Sequence, residues 1–191
     1  MIQRICLIIP PSLFLLDERV FMSLGILKVA AVLEQEGVAV ELLDLSGVTN
    51  FEEALAAHLE QSQAECFGLT ATTPQMPAAT KIHATIRRLR PSARTILGGP
   101  HVTLLYAAGK NERKRSVLGR ASRAVKQLTA MFDVLVTGDG EMAIFEALQS
   151  APARIVDGDD PKSTFFLSNT SLEELPFPPR LLVDVSTYHY G

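Results

Sequence analysis

Short runs of apolar residues alternate along this chain with longer stretches in which apolar positions recur at helical spacing. Residues 4–9 (RICLII) are apolar at nearly every position, as a strand covered on both faces requires. Residues 21–36 place Leu24, Leu27 and Ala31 on one helical stripe, and Gly37 stands where a helix stops. Residues 39–44 (AVELLD), 65–70 (ECFGLT), 93–97 (ARTIL) and 132–137 (FDVLVT) read as further strands. Helices are expected at 51–61, at 75–89 before Arg90-Pro91, and at 141–149. Short strands separated by helices need crossover connections. The expected fold class is therefore α/β, a doubly wound five-stranded parallel sheet over residues 1–150 with helices on both faces. An all-helical bundle is excluded, because the apolar runs are too short and too continuous.

Two regions depart from that rhythm. Residues 106–131 are longer than a crossover needs and carry Lys110, Arg113, Lys114, Arg115, Arg120, Arg123 and Lys126 against the single acid Glu112. Such a run reads first as a solvated helix face, with a phosphate-rich ligand or a docking partner as the alternative. From residue 151 the pattern changes again. Residues 154–157 and 164–167 flank Gly158-Asp159-Asp160 and predict a small hairpin. Residues 171–191 then set Pro176, Pro178 and Pro179 beside Phe177, Leu181 and Leu182, which reads as a connector that lies on something. The chain reaches Tyr190-Gly191 without a stop signal, so a longer parent protein is expected, and the exposed connector could pair two copies as a homodimer.

Composition narrows the function classes. With 47% hydrophobic and 20% charged residues the chain can bury an ordinary core. A net charge of −3 gives no reason to expect nucleic acid or an anionic membrane as partner. Its apolar runs are far shorter than the roughly 20 residues of a membrane span. Cys6 and Cys66 each sit inside an apolar run, which predicts buried thiols in a reducing cytoplasm and neither a disulfide framework nor a metal knuckle.

In an open parallel sheet, ligands bind beyond the carboxyl ends of the strands. The residues there are Pro10-Pro11 after the first strand and Thr70-Ala71-Thr72-Thr73 after the third. Gly98-Gly99-Pro100-His101 follow the fourth, and Gly138-Asp139-Gly140-Glu141 the fifth. Gly98 and Gly99 allow backbone to approach a flat ligand. The threonine hydroxyls can donate and accept, and Gly138 and Gly140 permit a turn into a helix whose first amides face outward. Each feature alone is also an ordinary strand-to-helix turn; their placement on one edge favours a site. There is no GxGxxG after the first strand, no GxxxxGK[ST], and none of the acidic residues of a receiver domain. His58 and His83 fall inside predicted helices as surface or core residues, and His101 at the site edge reads as a structural hydrogen bonder.

At these loops the sequence resembles the N-terminal cobalamin-binding domain of B12-dependent radical SAM enzymes, such as the anaerobic Mg-protoporphyrin monomethyl ester cyclases. The matching residues are Pro10-Pro11; Gly25 with Leu27, Ala30 and Leu33; Glu36-Gly37; Gly68 to Thr73; and Ile86-Arg87 ahead of Pro91. They continue with Leu97-Gly98-Gly99-Pro100-His101 and Val136-Thr137-Gly138-Asp139-Gly140-Glu141. Leu175-Pro176-Phe177-Pro178 with Tyr188 and Tyr190 resembles the connector into the radical SAM barrel.

The resemblance implies a flavodoxin-like, Rossmann-like cobalamin fold. Its wider pattern has an Asp-x-His-x-x-Gly loop, a Ser-x-Leu and a Gly-Gly. Here Thr70-Ala71-Thr72 takes the second place and Gly98-Gly99 the third. Val20 and Met22 stand where the Asp and His of the first would be. The resemblance therefore implies cobalamin bound base-off, with no His on cobalt. Thr70, Thr72, Thr73, Gly98, Gly99 and Gly138 would line the tail pocket, and Pro10 and Pro11 the lower corrin face. Ala71, His101, Asp139 and Gly140 complete the implied cofactor site, and Glu141 is assigned to capping its helix. No catalytic residue and no metal ligand is assigned. Radical SAM chemistry needs cysteines spaced CxxxCxxC, which Cys6 and Cys66 cannot supply. The 4Fe-4S cluster and S-adenosylmethionine are thus expected only in the chain's own C-terminal radical SAM domain, the expected partner, where methyl transfer or oxidative cyclisation would occur. The alternatives are a flavodoxin-like interaction module without corrinoid and a flavin- or nucleotide-binding domain.

Overall fold

The computed structural model describes residues 1–12, 14, 15 and 17–188; the expectations at Tyr190 and Gly191 lie outside them. Among the described residues the elements alternate as β1 (Arg4–Ile9), α1 (Leu24–Gln35), β2 (Ala39–Asp44), α2 (Phe51–Gln61), β3 (Cys66–Thr70) and α3 (Met76–Leu89). They continue with β4 (Arg94–Gly98), α4 (Pro100–Lys114), α5 (Arg120–Met131), β5 (Val134–Gly138), α6 (Gly140–Ala147), β6 (Ile155–Gly158) and the short α7 (Asn169–Glu173). All strand pairings are parallel, in the order β2-β1-β3-β4-β5-β6. The order reverses between β1 and β3, and register aligns Thr70 with Gly98 and Gly138 with Gly158 along the carboxyl edge.

Each sheet face has its own core. Cys6, Ile8, Phe67, Leu69 and Leu97 pack with α2, α3 and α5 through Leu55, Leu59, Ile82, Ile86 and Leu128. Ile5, Leu7, Ile9, Cys66, Ile96, Val134 and Val136 pack on the other face against α1 and α6. Apolar residues at every strand position are therefore used on both sides, as a doubly wound sheet demands.

The sheet has six strands rather than five, and the expected hairpin after residue 150 does not form. Residues 155–158 join the sheet edge in parallel to β5, because α6 carries the chain back across the face. Residues 164–167 form no strand; Leu167 is buried while Phe166 stays exposed. The basic run folds as two packed helices, α4 and α5. Ala121, Val125 and Leu128 give α5 a buried stripe. The carboxylate of Glu112 accepts from the amides of Ala121 and Ser122 at 3.1 and 2.8 Å, so the lone acid caps α5. Residues 182–188 fold back over α1: Val183 and Tyr188 bury against Leu27, and the Tyr188 hydroxyl donates to the Asp44 carboxylate. No helix among the described residues is long and apolar enough to cross a membrane.

Candidate cobalamin site

A cavity of about 590 Å³ opens at the carboxyl edge and penetrates between the sheet and the pair α1 and α6. Its floor is Leu7 of β1, Gly68 of β3, Ile96 of β4 and Val136 of β5. One wall is Gly25, Ile26 and Val29 of α1; the other is Gly140, Glu141 and Ile144 of α6. The helices touch where Gly140 meets Val29: a Cβ on Gly140 would come within 2.9 Å of a Val29 methyl. A Cβ on Gly68 would meet Leu7 at 3.0 Å, so the missing side chain there keeps the floor low. The mouth is polar, with Ser23, Thr70, Thr103, Asp139 and Asp159 around it.

The turns at the mouth are set by glycines in conformations other residues resist. Gly99 has φ +94°, and a Cβ on it would lie 2.6 Å from Thr70 Oγ1 and 2.7 Å from the Ala71 nitrogen. Gly138 has φ +74° and abuts the backbone of Gly158 and Asp159. The hydroxyl of Thr103 joins the two turns, accepting from the Gly138 amide at 3.0 Å and donating to the Gly99 carbonyl at 3.1 Å.

Of the expected site residues, Thr70, Gly98, Gly99, Gly138, Asp139 and Gly140 line this cavity. The others lie beside it, after β1, after β3 and in the first turn of α4, and do not. Thr72 pairs with Gln75: its amide and its hydroxyl both donate to Gln75 Oε1 at 2.9 Å. Gln75 Nε2 in turn donates to the Pro10 carbonyl at 2.7 Å. Pro10, Pro11 and Ala71 are buried in this support, and the Thr73 hydroxyl lies 3.0 Å from His101 Nδ1. Burial lowers the His101 pKa. Glu141 is 5% exposed. Burial raises its carboxyl pKa, against hydrogen bonds from its own amide and that of Gly140.

Sequence reasoning missed the α1 wall, Ile144 of the α6 wall, and Thr103. Gly25 was visible as a glycine in the first turn of a helix, and a Cβ there would meet nothing within 4 Å. Met22 and Val20 do not line the cavity; Met22 packs instead against the cluster of Leu27, Val183 and Tyr188.

The model of the B12 binding domain family matches residues 18–129, more than half of the chain. The chain belongs to the B12-binding domain family. No curated protein sequence matches it. Among solved structures it is similar to the radical S-adenosylmethionine methyltransferase TsrM from Kitasatospora setae. One of these, with tryptophan substrate and the SAM analogue aza-SAM bound, aligns at 20% identity over 55% of this chain, with a TM-score of 0.48. Another, with cobalamin and a [4Fe-4S] cluster bound, aligns at 20% identity over 56% of this chain, with a TM-score of 0.47. This B12-binding domain spans 20% of the length of those chains.

Proposed function

We propose that this B12-binding domain holds cobalamin with its nucleotide tail in the cavity between the sheet and α1 and α6, as the cofactor module of a larger radical SAM enzyme. The observation that carries the reading is the shape of that cavity. An apolar slot whose floor is kept low at Gly68 starts at the edge where strand order reverses. The residues present fit the group. Leu7, Ile96 and Val136 offer an apolar floor to a flat heteroaromatic base, and the hydroxyls of Ser23, Thr70 and Thr103 offer polar groups at the mouth. Bound cobalamin would supply a cobalt centre able to carry a methyl group.

Val20 and Met22 stand where the family's Asp and His would be and neither can place an imidazole on cobalt, so the corrinoid on this reading is base-off. Cys6 and Cys66 belong to the cores on opposite sheet faces. An iron-sulfur cluster and S-adenosylmethionine therefore belong to a separate radical SAM domain, where methyl transfer or oxidative cyclisation would take place. Two buried free thiols suit a reducing cytoplasm. The exposed apolar residues Leu24, Leu104 and Phe166 lie at or beside the mouth and suit a second domain closing over it.

The test is to mix the chain with hydroxocobalamin, desalt it, and record the visible spectrum of the protein fraction at several pH values. Retained corrinoid with a base-off spectrum, unchanged in His101→Ala, is the expected result. A nitrogen-ligated spectrum would overturn the ligand assignment. Colourless protein, from both this chain and one extended past residue 191, would overturn the cofactor assignment.

A further inference from the structure

The opposite face of the sheet brings together three metal-ligating side chains that the cofactor reading does not use. Parallel register sets Cys6 of β1 directly beside Glu41 of β2, so both side chains leave the sheet on one face. Phe51, Leu55 and Leu59 bury α2 against that face, and His58 reaches the same point from above. His58 Nε2 stands 3.5 Å from Cys6 Sγ and 3.0 Å from Glu41 Oε2. The three ligand atoms all lie within 4.8 Å of one another.

We propose that Cys6, Glu41 and His58 form a zinc site, with water as fourth ligand, that clamps β1, β2 and α2 together. Hydrogen bonding does not join all three groups at once, and the other acceptor within reach of the thiol is the Leu7 carbonyl at 3.9 Å. A protonated Nε2 donates to Glu41 and has no lone pair for the thiol; an unprotonated Nε2 faces the carboxylate lone pairs. A cation between the atoms suits all of them. Tetrahedral zinc, with bonds of ~2.3 Å to sulfur and ~2.0 Å to nitrogen and oxygen, separates sulfur from nitrogen by about 3.6 Å and nitrogen from oxygen by about 3.3 Å. The observed 3.5 and 3.0 Å are close to those spacings. A mixed sulfur, nitrogen and oxygen set matches zinc rather than magnesium or calcium.

Access is one-sided. Cys6 is fully buried, while the side chains of His58 and Glu41 are 27% and 31% exposed, so an ion would enter from their side. Burial, and then the charge of Glu41, raises the Cys6 thiol pKa. Zinc reverses that locally: the S–H bond breaks, the S–Zn bond forms, and one proton leaves to solvent. Affinity therefore increases with pH. The site is distinct from the cavity, since Cys6 packs with α2 and α3 while its neighbour Leu7 floors the slot on the other face.

The experiment uses the 191-residue chain, stripped with EDTA and free of corrinoid, titrated with zinc chloride against a chromogenic chelator. Elemental analysis follows desalting, and thermal melts run in parallel. One zinc per chain is expected, with Tm rising roughly 5–10 °C at a zinc concentration about 100-fold above Kd. His58→Ala and Glu41→Ala, checked for folding by circular dichroism, should each weaken binding at least roughly ten-fold. Wild-type chain that retains no zinc overturns the proposal. So does zinc binding that both variants leave within twofold, which would place the ion elsewhere. Because corrinoid is omitted, neither outcome depends on the cobalamin assignment.

Discussion

Gly98 and Gly99 are adjacent, yet their missing side chains matter for different reasons. A Cβ on Gly98 would make only ordinary contacts, 3.5 Å from the Val136 carbonyl oxygen, whereas one on Gly99 would strike Thr70 and Ala71 in a left-handed conformation. Gly99→Ala is therefore expected to cost about 1–3 kcal/mol in chemical denaturation. Gly98→Ala should stay within about 0.5 kcal/mol of wild type and still retain less cobalamin, because the added methyl borders the cavity. Equal loss of stability in both would refute this division of labour. Glu141 supplies a second residue-scale expectation. Its native carboxyl pKa is raised by burial above the ordinary 4.5. Between those two values the native state holds a proton that the unfolded chain has released, so stability falls as pH rises through that window and the penalty persists above it. Glu141→Gln should then melt higher than wild type at pH 7, with the gap closing below pH 4.5; a gap that does not depend on pH would show that the carboxyl is not strained by burial.

At the scale of elements, the sheet edge depends on Asp157 of β6. Its carboxylate accepts from Thr137 Oγ1 at 2.8 Å and the Asp159 amide at 3.1 Å, and pairs with Lys110 Nζ at 2.9 Å. The fifth strand, the basic helix α4 and the added strand thus share one acceptor, and Lys110 of the basic run is occupied by structure. Burial alone would raise the Asp157 pKa, but Lys110 and Thr137 hold it below the ordinary 3.8. Its contribution is fully present above that ordinary value and is lost as pH falls through the lower native one. Asp157→Asn should cost about 1–2 kcal/mol at pH 7 and progressively less below pH 3.8 in urea melts. The same strand shows where sequence reading ran out. The bounds of β2 and α2 were legible to the residue, because long apolar runs and helical stripes carry them. Ile155–Gly158 is a four-residue edge strand, and Gly158-Asp159-Asp160 imitates a hairpin turn, so local pattern pointed to the wrong partner. At the site, glycines and threonines after strands were visible. Ile26, Val29 and Ile144 were not, since a helical apolar residue looks the same whether it meets the sheet or lines a slot. The cluster of Cys6, Glu41 and His58 was hidden for a different reason: Cys6 and His58 are 52 residues apart, and only the β1–β2 register and the seating of α2 join them.

For the molecule as a whole, exposed apolar surface gathers around the carboxyl edge. Phe14 is 72%, Phe21 83% and Leu104 70% exposed, and Phe14 and Phe21 belong to the loop that leaves β1 toward the cavity wall. The segment after β6 does not cover them. It folds back on α1 and β2, held by the bond from Tyr188 to Asp44 and by Arg19, which donates to Thr187 and to the Ser46 carbonyl at 2.9 Å. Phe177 and Leu181 are left 95% and 100% exposed. A domain with a well-packed core on each sheet face gains nothing from this surface on its own, and patches of this kind mark places where another surface closes. Closure over the mouth would slow cofactor release without adding contacts inside the slot. On the proposed reading, a chain extended past residue 191 through a radical SAM domain should hold hydroxocobalamin at least roughly ten-fold more tightly than the 191-residue chain, mainly through a slower off-rate. Phe21→Glu with Leu104→Glu should leave the shorter chain within about 0.5 kcal/mol of its stability and remove most of that gain from the longer one. Stopped-flow displacement of cobalamin measures the off-rates, and urea melts the stability. If the longer chain releases cobalamin as fast as the shorter, the mouth is not the docking face, and the apolar edge needs a different partner.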